Sequence, residues 1–380
     1  MSTYQQIFPI AEKILKKYDL CDHCLGRLFS KQLHLSSNKV LGKKLKKKLG
    51  SQKCYVCKNL FENLNHFLKL MVDASSNYSF TTFSVGSMIK PSIVDRDDFI
   101  RSQFKLKGID SVKTDITKEL GRLFSRKTKK TTDPIDPEIT FTVNFKDESC
   151  QIRSKSITIS GRYVKSQRGF PQKQKSCDNC SGKGCRICNF HGITEFDSVE
   201  GAISKLVFKK FGGTIAKFTW IGGEDQSSLV LGTGRPFFVK IQNPLKRKSK
   251  LSSTTTNTID LSNLKLVYES PKKSLKFIST IKIAISTEIP VDSKHLKKLK
   301  DLTLNPIVVY EKSGKRSEKK IFKVNYKKIS KNAFTLIIKA EGGLPIKRFV
   351  IGDDITPGIA TILDTPCKCQ EFDFLDIEVK

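Results

Sequence analysis

The sequence contains no run of 18 or more apolar residues, so nothing in it reads as a membrane-spanning helix. Its N-terminus, "MSTYQQIFPIAEKILKKYDL", lacks a signal-peptide core and carries acidic residues, which argues against secretion. Nucleotide loops are missing too. There is no Walker motif, and the Gly-rich "GTGRPF" lacks a third glycine and leads into a strand rather than a helix, a poor match to a dinucleotide or S-adenosylmethionine loop. No His-Glu-x-x-His is present, and the five histidines form no metal or general-base cluster. Acids are scarce: 37 Asp and Glu stand against 69 Lys and Arg, a net charge of +32. Such an excess repels itself in a compact fold unless an anion is the usual partner, and nucleic acid suits it best. A merely Lys-rich soluble protein is the plainer alternative.

A chain of 380 residues has room for two or three domains, and the texture changes along it suggest where they divide. Residues 1–75 read as helical, with Ile7, Ile10, Ile14 and Leu15 on one face and a basic edge at 43–48. Residues 76–175 look like a mixed α/β domain: an alternating "YSFTTFSV", a helical 96–124, then "EITFTVNF" and "SITISGRYV". A Cys- and Gly-rich stretch, 176–192, separates this from an α+β domain over 193–380. That domain opens with a helix at 197–211, where Asp197 and Glu200 have capping-box spacing, and continues with strands at 217–221, 236–241, 276–285, 305–310, 320–326 and 334–340. "SSTTTNT" after a basic run reads as a loop.

Eight of the eleven cysteines fall in four Cys-x-x-Cys pairs. Without a secretion signal this spacing points to metal rather than disulfides, and to the cytoplasm. Cys21 and Cys24 with Cys54 and Cys57 can form two knuckles of one tetrahedral thiolate site. Four sulfurs leave no place for water, so the expected role is structural; His23 is an alternative ligand. Cys177, Cys180, Cys185 and Cys188 pack a second set into twelve residues, with Gly182 and Gly184 to supply tight turns. Zinc is the first choice for both sets, and an iron–sulfur cluster remains open for the second. Lys183 and Arg186 make that knuckle basic enough to touch RNA. Cys150, Cys367 and Cys369 show no pairing pattern.

One acid stands out. "GGEDQSSLVLGTGRPFF", residues 222–238, sets Glu224 and Asp225 in a glycine turn and follows with a second turn at 232–236. A carboxylate in a basic, RNA-binding protein can act as a nucleophile toward an electrophilic sugar carbon or base. Taken alone, Asp225 is more simply a turn residue.

Read together, "LCDHCLGRLF" with "CYVC", "GRYVKSQRGFPQ" leading into "CDNCSGKGCRICNFHG", "GGEDQSSLVLGTGRPFFVKIQNP" and "AEGGLPIKRFVIGDD" with "FDFLDIEV" resemble the archaeal branch of the tRNA pseudouridine synthases that act on the T loop. The four stretches lie in the family's order over nearly the whole chain, whereas residues 78–165 resemble its THUMP region only weakly. The resemblance implies an α+β protein whose N-terminal half binds zinc and carries a THUMP-like domain. Its C-terminal domain would be of the pseudouridine synthase type, with a central mixed or antiparallel sheet. It makes Asp225 the nucleophile and Lys347 its basic partner, gives Arg235 a role in holding RNA or shaping the loop, and leaves Tyr310 as a candidate for the aromatic packed on the target base. It further implies structural Zn2+, no organic cofactor, and the T arm of tRNA as partner, with a flipped uridine at tRNA positions 54 and 55. The sequence departs from the family's Gly-Arg-Glu-Asp loop at Gly223, Ser227 and Leu229, and has Pro345 where Tyr is common. A non-catalytic zinc-containing RNA-binding protein is the competing reading. A THUMP-bearing methyltransferase is disfavoured by the missing cofactor loop.

Overall fold

The computed structural model describes residues 3–30, 37–46, 53–106, 109–255, 258–311 and 314–380. The chain divides into two compact units, Met1–Lys155 and Ser156–Lys380.

Among the described residues, the first unit opens with helices α1 (Thr3–Leu15), α2 (Asp22–Arg27), α3 (Asn38–Leu45) and α4 (Leu64–Ala74). The buried stripe of α1 is Ile7, Ala11 and Ile14; Ile10, expected on that face, is 38% exposed. α2 and α3 touch through glycines. A Cβ at Gly26 would stand 1.8 Å from the Asn38 carbonyl oxygen, and one at Gly42 1.8 Å from that of Asp22. Of the basic edge, Lys43 and Lys44 are exposed on α3, Lys46 donates to the Leu20 carbonyl at 3.0 Å, and residues 47–48 lie outside the described ones. Next come β1 (Thr82–Met88), α5 (Pro91–Gln103), α6 (Val112–Thr128), β2 (Thr131–Thr132), β3 (Ile139–Asn144) and β4 (Ser149–Ser154). The single helix expected over 96–124 is thus two. The break is set by Ser111, whose hydroxyl accepts from the Thr114 N–H and starts α6 afresh. The sheet runs β2-β1-β3-β4, with β1 parallel to both neighbours and β3 antiparallel to β4. Phe83, Phe124 and Phe141, all fully buried, join α6 to its face.

The second unit begins with β5 (Ile157–Lys165). The sequence pattern assigns this strand to the 76–175 domain. Its ladder hydrogen bonds instead go to two strands of the C-terminal sheet, which moves the boundary from 175 to 155/156 and places the 177–188 knuckle inside the second unit. After the knuckle come α7 (Val199–Phe211), β6 (Ala216–Trp220), β7 (Val230–Ile241), β8 (Thr254–Thr255), β9 (Ile259–Val267) and β10 (Phe277–Thr287). The chain continues with α8 (Ser293–Lys298), β11 (Ile307–Tyr310), β12 (Arg316–Lys319), β13 (Ile321–Ser330), β14 (Ala333–Glu341), α9 (Ile346–Ile351), β15 (Ile355–Thr356), α10 (Ile359–Leu363) and β16 (Cys367–Val379). The main sheet is mixed and runs β13-β14-β10-β16-β7-β5-β9-β8, with β6 also on β7; β12-β11-β15 form a small second sheet. The cap of α7 is Ser198, whose hydroxyl accepts from the Gly201 N–H at 2.9 Å; Asp197, the expected cap, accepts from Gln174 instead.

The turn expected at 232–236 is not a turn. β7 runs straight through it, with positive φ at Gly232 and Gly234. Side chains there would strike neighbouring backbone: a Cβ at Gly232 would lie 2.2 Å from the Leu375 oxygen, one at Gly234 2.5 Å from the Tyr163 oxygen. The glycines let β7 pass close between its neighbours.

Candidate active site

The loop between β6 and β7, residues 221–229, presents two adjacent acids in opposite directions. Asp225 faces out. Its Oδ1 accepts from the Ser227 N–H at 3.0 Å and the Ser227 hydroxyl at 2.7 Å, an Asx turn that aims the carboxylate. Its Oδ2 accepts from Lys347 Nζ at 2.7 Å. Lys347 sits in the first turn of α9, so residues 122 positions apart in sequence meet there. The Lys347 ammonium first, and the Ser227 donors after it, hold the Asp225 carboxyl down at about 2. The acid is therefore ionised. Its cleft, about 660 Å³ and open to solvent, is lined by Pro171, Gln172, Lys173, Gly223, Glu224, Asp225 and Gln226.

Glu224 faces in and is fully buried. Its Oε2 accepts from the Tyr163 hydroxyl at 2.9 Å and from Arg235 Nε at 3.2 Å, and Lys165 Nζ lies 3.3 Å from Oε1. Gln172 Nε2 donates to the Tyr163 hydroxyl at 2.9 Å. Burial pushes the Tyr163 hydroxyl well up, with the Glu224 charge adding to it, so it stays a donor. Gly222 has positive φ, and a Cβ there would lie 2.5 Å from the Phe277 ring and 2.7 Å from Arg235 Nη1, so the loop closes on this core only with glycine. At Gly223 a Cβ would meet nothing nearer than Gln172 at 3.8 Å; the position where the resembled family carries Arg faces open space.

The expected site residues thus separate. Asp225 and Lys347 are brought together. Arg235 is fully buried, its Nη1 on the Ile221 carbonyl at 2.9 Å and its guanidinium 4.3 Å from the Phe374 ring centre, so a direct hold on RNA is corrected: it shapes the loop from beneath. Tyr310 ends β11 in the small sheet, half exposed, and does not line the cleft. Glu224, Lys165, Tyr163 and Gln172 were missed. Lys165 had a signal: along β5 the inward face is Ile159, Gly161, Tyr163 and Lys165, and a lysine on that face is out of place.

Each expected metal set is also assembled. The ligand atoms of Cys21, Cys24, Cys54 and Cys57 lie within 4.8 Å of one another, as do those of Cys177, Cys180, Cys185 and Cys188. Zinc–sulfur bonds of about 2.3 Å in a tetrahedron require sulfurs about 3.8 Å apart. The recorded separations are 3.6 Å for Cys21–Cys57, 3.8 Å for Cys180–Cys188 and 3.7 Å for Cys185–Cys188. Backbone N–H groups of Gly184 and Gly192 point at Cys180 and Cys188 sulfurs, as suits thiolates. Both sets could hold a metal and are compatible with zinc. His23 is not a fifth candidate, since its ring stacks on Phe61 at 4.5 Å. All eleven cysteines are free thiols.

Comparison with known proteins agrees with this architecture. The family profile described as Pus10, C-terminal, matches residues 158–378, and the archaeal Pus10 THUMP domain matches 67–144. Over its whole length and the whole of the relative, the chain is 69% identical to the tRNA pseudouridine synthase Pus10 of Nitrosopumilus maritimus (strain SCM1). It is 33% identical to that of Cenarchaeum symbiosum (strain A), over 96% of this chain and 90% of the relative. Against that of Methanocaldococcus jannaschii the figures are 28%, 96% and 93%. A chain of the crystal structure of a Cbf5-Nop10-Gar1 complex aligns over 46% of this chain and 43% of its own, with a TM-score of 0.30 and 10% identity, too distant to carry weight. Fold and matches together define the class: this is a pseudouridine synthase acting on tRNA. Within that class, the chain belongs to the Pus10 family.

Proposed function

We propose that the protein converts uridine to pseudouridine in the T loop of tRNA, with Asp225 as nucleophile and Lys347 as the cation that keeps it ionised and aimed. The observation that supports this reading is the 2.7 Å Asp225–Lys347 pair at an open cleft, on a loop whose other acid is committed to the core. The reaction is an isomerisation. The N1–C1′ bond breaks, C5 bonds to C1′, the C5 proton leaves and N1 gains one, so atoms balance without a co-substrate. Asp225 is the group available to attack and be released again. The target nucleotide leaves its stack to reach the cleft, and the T arm supplies the structured RNA around it.

The two four-cysteine sets would hold structural zinc, which contributes to folding and leaves no coordination position for chemistry. Free thiols and a tRNA substrate suit the reducing cytoplasm. Asp225→Asn keeps the side chain's size and removes its nucleophilic charge. Release of tritium from C5-labelled uridine in tRNA should then vanish while tRNA affinity stays. Wild-type release by Asp225→Asn would return the protein to the non-catalytic RNA-binding reading.

A further inference from the structure

We infer that Lys165 is a positioning residue for the reaction, its buried ammonium fixing where the Asp225 carboxylate stands. The inference rests on the reading of Asp225 as nucleophile.

Lys165 closes strand β5 with its side chain wholly enclosed. Its Nζ donates to the backbone carbonyls of Phe170 at 2.9 Å, Asp225 at 3.2 Å and Gln226 at 3.4 Å. The four residues after it complete a clamp. The Gly169 N–H donates to the Gln226 carbonyl at 2.9 Å, and Arg168 donates to that of Ser227 at 2.5 Å while forking onto Asp373 at 2.7 and 2.8 Å. Asp373 in turn accepts from the Leu229 N–H at 3.0 Å. Three consecutive carbonyls, of 225, 226 and 227, are thus gripped from one short segment, 165–169. An exposed glycine-turn loop is ordinarily among the most mobile parts of a fold. Here the backbone from the nucleophile onward is tied to the end of a sheet strand and to the residues that follow it.

Charge separates Lys165 from the rest of the clamp. Beneath the loop lie Lys165, Arg235 and Glu224, all fully buried, two cations and one anion. Arg168 is balanced by Asp373. One buried positive charge is left, and the acid above it is Asp225, whose carboxylate also meets Lys347 and Ser227 and acts on Cys369. Burial pulls the Lys165 ammonium down, and Glu224 first, then Asp225, hold it up. A buried ion pair seldom stabilises a fold more than apolar packing of the same shape would. A lysine here therefore needs another reason, and the carbonyl of the nucleophile, 3.2 Å from its Nζ, supplies one.

The variant Lys165→Met tests this. It keeps the stem's length and leaves Glu224 with Arg235 as a neutral pair, so no uncompensated buried charge is created. The readout is the single-turnover rate constant for C5 tritium release from labelled tRNA, measured beside tRNA affinity and thermal melting. A rate constant, unlike an amplitude, is not moved by loss of folded enzyme. It should fall roughly 10- to 100-fold, the cost of a displaced reacting group, with tRNA affinity unchanged. Lys165→Gln, which keeps donors but not charge, should recover part of the loss and remain below wild type. A wild-type rate constant in Lys165→Met, or a loss confined to amplitude, overturns the inference. Should the Met variant fail to fold, a wild-type rate constant in Lys165→Gln overturns it equally. Activity in Asp225→Asn would instead remove the underlying reading, so the two failures are distinct.

Discussion

Replacing Lys347 by Met removes one ammonium from the 2.7 Å pair with Asp225 and little else. In the free enzyme the pair is open to water, Lys347 being 54% and Asp225 32% exposed, and pairs of that kind contribute about 0.2–1 kcal/mol. The melting temperature should therefore scarcely change. Bound RNA alters the arithmetic by excluding water. Two charges about 4 Å apart attract by about 1 kcal/mol in bulk water and about 4 kcal/mol at an effective dielectric of 20. The difference, about 3 kcal/mol, is lost only when substrate covers the pair, and corresponds to roughly two decades in rate. The kcat/KM for tritium release from C5-labelled tRNA, which compares the covered transition state with free enzyme and tRNA, should fall about 100-fold. A rate within a factor of a few of wild type would refute the reasoning. So would a large loss of stability, since that would make the pair a structural one.

The pH dependence follows from the same geometry. Asp225 is held at about 2, below the ordinary carboxylate range, so the pair's stabilisation is complete above that range and is lost as pH falls toward 2. The kcat/KM profile, which reports the free enzyme, should accordingly show no acid limb from Asp225 above about pH 4; a limb near 6 traced to this residue contradicts the site. Cys54→Ser with Cys57→Ser should remove one of the two metal sets, halving zinc per chain by elemental analysis and lowering the melting temperature of the N-terminal unit. Undiminished zinc would show that those thiols are not ligands.

The legible features were those carried by spacing. Four Cys-x-x-Cys pairs announced two sets of four clustered thiols, because the knuckle is a local structure whose geometry two residues of separation nearly determine. Apolar patterning found β3 and β5, and the motifs of the resembled family singled out Asp225 and Lys347, which the fold brings to 2.7 Å of each other. What could not be read was non-local. Strand β5 reads equally well as the end of one domain or the start of the next, since its partners, β7 and β9, lie far along the chain. β16 was not placed as a strand, although it holds the centre of the main sheet between β10 and β7. "GTGRPF" has the composition of a turn, and only the backbone of strands packed on either side makes it a strand with two glycine kinks.

Glu224 and Asp225 make the same point at the level of chemistry. They are adjacent, both acidic and both in a glycine turn, and nothing in composition ranks one above the other. Their environments do. Glu224 meets two buried cations and a tyrosine hydroxyl, so its charge is spent on the core and its oxygens face no cleft. Asp225 meets one exposed lysine and the donors of a single serine, which leaves the carboxylate ionised at the wall of an open cavity. A backbone turn that rotates one side chain inward and the next outward is enough to divide the labour. The inward acid holds Arg235 and Lys165, and Lys165 in turn holds the carbonyl of the outward acid. The inward carboxylate is thereby coupled to the outward one through a single ammonium group, and on the proposed role of Asp225 substitutions beneath the loop should act on rate through its position rather than through contact with RNA.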